Sequence, residues 1–324
     1  MNGVKNVAKR YSRELTIFAV LILIILIFTM QEPRYIEVGN LLDILEQATI
    51  NGFLAIGVTF AIITGGIDLS VGSVMALSIV ACGQLAVMGL PPIAVLAIGL
   101  VLGIFLGALN GLLITKMKLQ PFIATLGTNS VLRGMAYLVT GGWPVLNIPK
   151  GYRNLFQVQI FHNIRLYMVY LIIAAIILSL ILKRTSTGVY IYAVGSNEEA
   201  TRLSGINVDR FKICAYIFCG AMAAMAGMVT LAKLGTGEPT AGQGYELNAV
   251  AAAAIGGASL AGGKGSILGT MIGALTLSAL KVGLVVIGMD TFYQYIATGL
   301  IIIIAAYFEI IQGKIAAVIF MRKR

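Results

Sequence analysis

Charge is scarce in this 324-residue chain, with Asp, Glu, Lys and Arg together making up 11% of it. A soluble domain needs far more polar surface, so an ordinary water-soluble fold is excluded. Histidine occurs once, at His162, and cysteine three times, at Cys82, Cys214 and Cys219. All three cysteines lie in apolar runs and read as small buried hydrophobes, not as a disulfide framework. Without a ligand-spaced Cys/His group no metal site is expected, and no cofactor is expected either. No nucleophile–base pair stands out, which argues against a membrane enzyme. The net charge of +10 does not point to nucleic acid, because the basic residues form short clusters between apolar runs, as topology signals do.

What the chain has instead is apolar length: 59% of its residues are hydrophobic and its mean hydropathy is +0.94. At roughly 20 apolar residues per crossing, ten spans are expected, at 15–30, 47–64, 69–88, 93–115, 121–141, 165–182, 211–232, 247–261, 266–287 and 293–311. Residues 15–30 resemble a signal-peptide core, but QEPRYIEV follows with no small-residue cleavage site, so an uncleaved first span is expected. The expected fold is all-α and integral to the lipid membrane, with residues 1–324 forming a single transmembrane domain.

The positive-inside rule sets an orientation. With the N-terminus inside, sixteen basic residues face the cytoplasm, among them Lys5, Lys9, Arg10, Lys183, Arg184, Arg202, Lys212, Lys314 and Arg324. Five face outward: Arg34, Lys150, Arg153, Arg165 and Lys233. Both termini and the polar stretch 183–212 are thereby expected in the cytoplasm.

Glycines recur at helical spacing. Gly99, Gly103, Gly107 and Gly111 mark one face of the fourth span, and Gly265, Gly269 and Gly273 one face of the ninth. Small residues at this period let helices approach closely in lipid, for packing or for sliding. Both rows run into Gly-Ala-Leu, and Ile-Ala-Thr recurs at Ile123 and Ile296, five spans apart. A unit of five spans repeated once must be inverted in the membrane. A third echo, between the glycines at 65–72 and those at 256–265, is six spans apart and does not fit that scheme.

Four places could carry function. In residues 183–212, Ser196 is the expected N-cap, with Glu199 closing a capping box. Glu198 and Glu199 suit the positive end of the helix, Asn197 and Arg202 belong to the same segment, and Gly205 supplies the stop. The stretch reads either as a solvated connector or as a lever onto a soluble partner. Residues 65–73, GGIDLSVGS, break two spans, so Asp68 and Ser70 are candidates to line a polar path. Asp68 could equally N-cap the third span, and the two roles are compatible. Arg133 and Lys281 fall within spans, where a charge needs a partner or a hydrated cavity. For Lys281 snorkelling is the alternative, and for Arg133 an ion pair or carbonyl contacts that fix packing. The outer loops carry Glu32, Glu37, Asp43, Glu46, Trp143, Tyr152 and His162, and residues 235–246. They read as interface anchors or as a docking surface for an extracytoplasmic protein. Residues 258–265, ASLAGGKG, fail as a phosphate-binding loop: Ala258 and Gly265 stand where glycine and Ser/Thr are needed, and no strand precedes them.

Five ordered runs resemble the permease subunits of carbohydrate-importing ABC transporters, within the branched-chain amino acid/ribose permease superfamily. They are GGIDLSVGS (65–73), QPFIATL (120–126), YIYAVGSNEEATRLSGINV (190–208), PTAGQGYELNAVAA (239–252) and GGASLAGGKGS (256–266). The resemblance covers roughly residues 40 to 305. Lys281 departs from it, since the family usually has an uncharged polar residue there. The resemblance implies a type II ABC-importer-like permease that pairs with a second copy of itself. It also implies a separate ABC ATPase subunit, an extracytoplasmic sugar-binding protein and a bacterial cytoplasmic membrane. Residues 196–205 would form the coupling helix, and transport of a ribose-, xylose- or galactose-like sugar would proceed by alternating access. Branched-chain amino acids or nucleosides are the alternative cargo. An ion-driven secondary carrier is a further alternative, poorly supplied with intramembrane acids.

Overall fold

The computed structural model describes residues 12–304 and 307, apart from 162 and 291. His162 and the basic residues Lys5, Lys9, Arg10, Lys314, Arg322, Lys323 and Arg324 lie outside the described residues. The chain begins with α1 (Ser12–Gln31), α2 (Val38–Ile63), α3 (Val71–Val87), α4 (Pro92–Thr115) and α5 (Pro121–Thr140). There follow α6 (Lys150–Gln157), α7 (Leu166–Arg184), α8 (Ser186–Ser196), α9 (Glu198–Leu203) and α10 (Val208–Leu234). The last helices are α11 (Tyr245–Ile255), α12 (Ile267–Val286) and α13 (Phe292–Ile304). Besides helices, the described residues form a short antiparallel hairpin between α6 and α7. It pairs β1 (Gln159–Phe161) with β2 (Ile164–Arg165).

Local chemistry sets several boundaries. Proline opens α4 and α5, where its missing amide removes no intrahelical bond. Gly141 and Gly235, at φ +62° and +70°, close α5 and α10 in the left-handed conformation.

Among the described residues six helices, α1, α2, α4, α7, α10 and α12, are long and apolar enough to cross a membrane. The other expected spans differ. The eighth, expected at 247–261, is the 11-residue α11, about 16 Å long at 1.5 Å per residue against a hydrocarbon core of about 30 Å. It stops because Gly256 and Gly257, the latter at φ +85°, turn the chain where Gly256 meets the Gly269 backbone. α3 has 17 residues, and α5 is broken in apolar character by Arg133. The tenth is described only as α13.

α2 is the axis: 94% of its apolar window is buried, against 17% for α1. α10 packs across α2, α3 and α4, while α12 and α11 pack on each other and on α2. The glycine row of α4 receives α10 directly. A methyl at Gly103 would collide with the Gly220 carbonyl, one at Gly107 with the Tyr216 carbonyl, and one at Gly111 with the Ile213 backbone. At Gly99 the neighbours are the sulfurs of Met228 and Cys82. Gly269 and Gly273 of α12 meet the carbonyls of Gly256 and Ala252 in the same manner. Gly265 does not belong to this row, because α12 begins only at Ile267 with Ser266 as its side-chain cap. Gly265 instead faces the Ile63 side chain.

Candidate functional site

Two interruptions of the helical scaffold meet inside the bundle. The first is residues 64–70, between α2 and α3. Gly66 sits against Pro121 at the start of α5, Thr125 Oγ1 donates to the Ile67 carbonyl (3.1 Å), and Ser73 Oγ donates to the Asn129 carbonyl (2.7 Å). The segment therefore climbs along α5 from Pro121 to Asn129, about 12 Å of helix. Its conformation is fixed from within. Asp68 Oδ1 accepts from the Ser70 amide (2.9 Å) and hydroxyl (2.6 Å), and Ser70 Oγ accepts from Asn110 Nδ2 of α4 (2.7 Å).

This corrects one expectation. Asp68 does not N-cap α3: the cap position is Ser70, and Asp68 closes a turn two residues ahead of it. In this arrangement Asp68 and Ser70 are 1% and 0% exposed. Ile67 and Leu69, alternating with them, are the half-buried residues.

The second interruption is residues 235–244, between α10 and α11. It enters from the opposite end of α5, where Val145 and Gly237 exchange backbone hydrogen bonds. It then runs to Arg133, whose Nη1 donates to the carbonyls of Pro239 (3.0 Å) and Ala241 (2.6 Å). Arg133 is thus held by carbonyls, and among the described residues it forms no ion pair. At Gly242, φ +79°, the segment touches Gly72 of α3, and a Cβ on either glycine would strike the other's carbonyl oxygen. The second break thus meets the first turn of α3, directly after the first break, backbone to backbone. Lys281 belongs to the same half of the molecule. It does not snorkel: 9% exposed, its Nζ donates to Asn248 Oδ1 of α11 (2.8 Å).

The polar stretch between α7 and α10 folds as α8 and α9. Ser196 is not the cap of α9. It ends α8, its hydroxyl donating to the Tyr192 carbonyl, and Asn197 takes the cap with Oδ1 accepting from the Ala200 amide (2.9 Å). The displacement has a tertiary cause: α8 runs on until Gly195 presses against the Ile63 carbonyl. Gly205, φ +80°, ends α9 as expected, with the amides of Gly205 and Ile206 donating to the carbonyls of Arg202 and Thr201. Glu198 is tied to Arg202 (3.0 Å) and to Lys212 of α10 (2.6 Å). Burial opposes its ionisation, but the hydrogen bonds and charges of Lys212 and Arg202 outweigh that and hold its carboxyl below the ordinary value. Glu199 is exposed, with no ion pair among the described residues. A cleft of about 400 Å³ separates this ionic cluster from residues 118–121.

The family model for the permease component of branched-chain amino acid transport systems matches residues 40–306. The chain belongs to this family. The permease is 40% identical to the ribose import permease RbsC of Bacillus subtilis over 90% of its own chain and 91% of the relative. It is 41% identical to RbsC of Escherichia coli K12 over the same shares. The D-allose transport system permease AlsC of Escherichia coli K12 is 36% identical over 92% of this chain and 91% of its own. No solved structure matches. With its apolar helices, the permease is a multi-pass membrane protein.

Some residues take places in the permease that the sequence did not assign, Glu46 lying within α2 and not in an outer loop. Glu46, 9% exposed, is held by Arg165 (3.4 Å) and Lys233 (2.7 Å), joining α2, β2 and α10. Asn110 and Glu246 complete the two breaks, and their signal was weak: one amide in an apolar helix and one acid in a glycine-rich loop. The expected phosphate-loop look-alike at 258–265 is a turn that closes the end of α2, with the Gly263 amide donating to the Ile63 carbonyl (2.9 Å).

Proposed function

We infer that this chain is the membrane-spanning subunit of an ATP-driven, binding-protein-dependent monosaccharide importer. The similarity to permeases named for ribose, at about 40% identity over nine-tenths of the chain, carries this reading. Relatives named for allose and fructose extend it to monosaccharides as a class. The family's description favours a second cargo, branched-chain amino acids.

In this reading residues 1–324 form one transmembrane domain of ten spans with both termini cytoplasmic. A second copy pairs with it, a separate ATPase supplies energy, and a sugar-binding protein delivers cargo from outside. The packing supports a five-plus-five inverted repeat. α4 packs on α10 as α12 packs on α2, α3 on α10 as α11 on α2, and α3 on α4 as α11 on α12. Under that repeat the two breaks are counterparts, which suits discontinuous helices meeting at mid-membrane. Residues 196–205 are the coupling element: Asn197 caps it, Glu198 and Arg202 brace it, and Glu199 and Leu203, the latter 83% exposed, are left for the ATPase.

The test is a reconstituted complex in vesicles, with ATP hydrolysis and uptake followed for ribose, xylose, galactose and leucine. Sugar uptake that needs ATP and the binding protein is expected. Uptake driven by an ion gradient alone would sink the importer reading in favour of a secondary carrier. Glu199→Lys is expected to abolish ATPase-coupled uptake while membrane insertion persists, and wild-type uptake in that variant would remove the residue from the coupling surface.

A further inference from the structure

Where the two breaks touch, three polar side chains are left with unused hydrogen-bonding capacity. Glu246, in the first turn of α11, accepts from the Gly244 amide through Oε1 (3.3 Å). Its other oxygen, Oε2, is buried against Gly72 without a hydrogen-bond partner. A buried acceptor without a donor is rare and calls for a missing donor or a strained state. Arg133 uses only Nη1 for its two carbonyls, so Nε and Nη2 have no acceptor among the described residues. Asn129, one helical turn before Arg133, lies with its side-chain amide against the Ser73 hydroxyl, which leaves amide hydrogens to spare. The consecutive residues Gly72 and Ser73 connect the three: one abuts Glu246, the other bonds Asn129.

We propose that Glu246, Arg133 and Asn129 form a polyol-binding subsite that takes sugar hydroxyls in transit through the junction of the two breaks. Vicinal hydroxyls match the set because each is both donor and acceptor: one donates to the Glu246 carboxylate while accepting from Arg133 or Asn129. The two formal charges cancel, so the subsite suits an uncharged solute. Here the subsite is shut, because Gly72 and Gly242 are in contact. Parting the two breaks uncovers Oε2, which makes binding conditional on the conformational cycle. The inference rests on the importer reading above and adds the residues that handle the sugar.

The experiment uses the reconstituted importer and measures ribose moved per ATP hydrolysed. Glu246→Gln, nearly isosteric, is expected to lower that ratio about tenfold, the size of one lost charge-assisted hydrogen bond. Asn129→Ala is expected to lower it less. A second readout avoids the ATPase: Gln243→Cys, at an exposed position in the second break, is labelled with a water-soluble maleimide. Saturating ribose is expected to slow labelling, and adding Glu246→Gln is expected to abolish that protection. An unchanged ratio together with intact ribose protection overturns the subsite, because Oε2 would then be satisfied by water. Uptake and hydrolysis falling in step, with protection intact, overturns it in favour of a structural role. Leucine moved by the wild-type complex in place of sugar overturns the importer's sugar reading itself, and the polyol subsite with it.

Discussion

The two breaks interrupt their helices in different ways. Residues 64–70 are held by side chains from inside: Asp68, Ser70 and Asn110 are all about 1% exposed or less, and each bonds the next. Residues 235–244 rely on glycine turns, on the paired backbone bonds of Gly237 with Val145, and on one half-buried arginine that reaches their carbonyls. The first arrangement loses several bonds at once if any member leaves, so it behaves as scaffold. The second can release its anchor and remain a hydrated loop. The movable partner in the junction is therefore the second break, and the first is the wall it closes against.

The strongest way to break this contrast is Asp68→Ala. It strands the buried Ser70 amide and hydroxyl together, and the purified protein is expected to lose about 3 kcal/mol of stability, read by thermal unfolding in detergent. A small loss there would make the first break as loose as the second. Gly72→Ala tests the contact between them. Its methyl meets the Gly242 carbonyl, which is backbone and cannot swing away, so about 2 kcal/mol is expected from overpacking. Hydrogen exchange should then rise in residues 235–244 and stay unchanged in 64–70. Arg133→Met is expected to cost about 1 kcal/mol and to raise exchange in the same segment alone. Equal exchange in both segments would show that they share one anchor.

The smallest expected effect lies at α9, outside the contrast, and serves as its control. Glu198 titrates lower in the folded protein than in the unfolded chain, so its contribution is complete above the ordinary carboxylate range. It is lost as pH falls through the depressed value, because the unfolded chain takes up the proton first. Exchange in α9 should rise in acid while both breaks hold.

The sequence made the interruptions visible but not their roles. GGIDLSVGS stood out as a break, yet nothing local says that Asp68 and Ser70 turn inward to Asn110 of α4. Ser196 and Asn197 are both good caps. The choice fell to Asn197 through the contact of Gly195 with Ile63, a pairing 132 positions apart in the chain. Lys281 read as a charge seeking water because its acceptor, Asn248, lies 33 residues away on another helix. The glycine rows were legible because their meaning is local: a bare helix face admits a neighbour whichever helix that proves to be. Gly265 left its row because Ser266 caps α12 and starts it two residues later.

The Ile63 carbonyl, at the end of α2, is pressed by Gly195 of α8 and bonded by the Gly263 amide. No side chain stands between these three strands of backbone, so the joint has no play. α2 itself is a single rod of 26 residues, about 39 Å long, and Glu46 near its far end is gripped by Arg165 and Lys233. A push on the α8–α9 elbow would meet α2 at this joint, with the Glu46 ion pairs toward the other end of the rod.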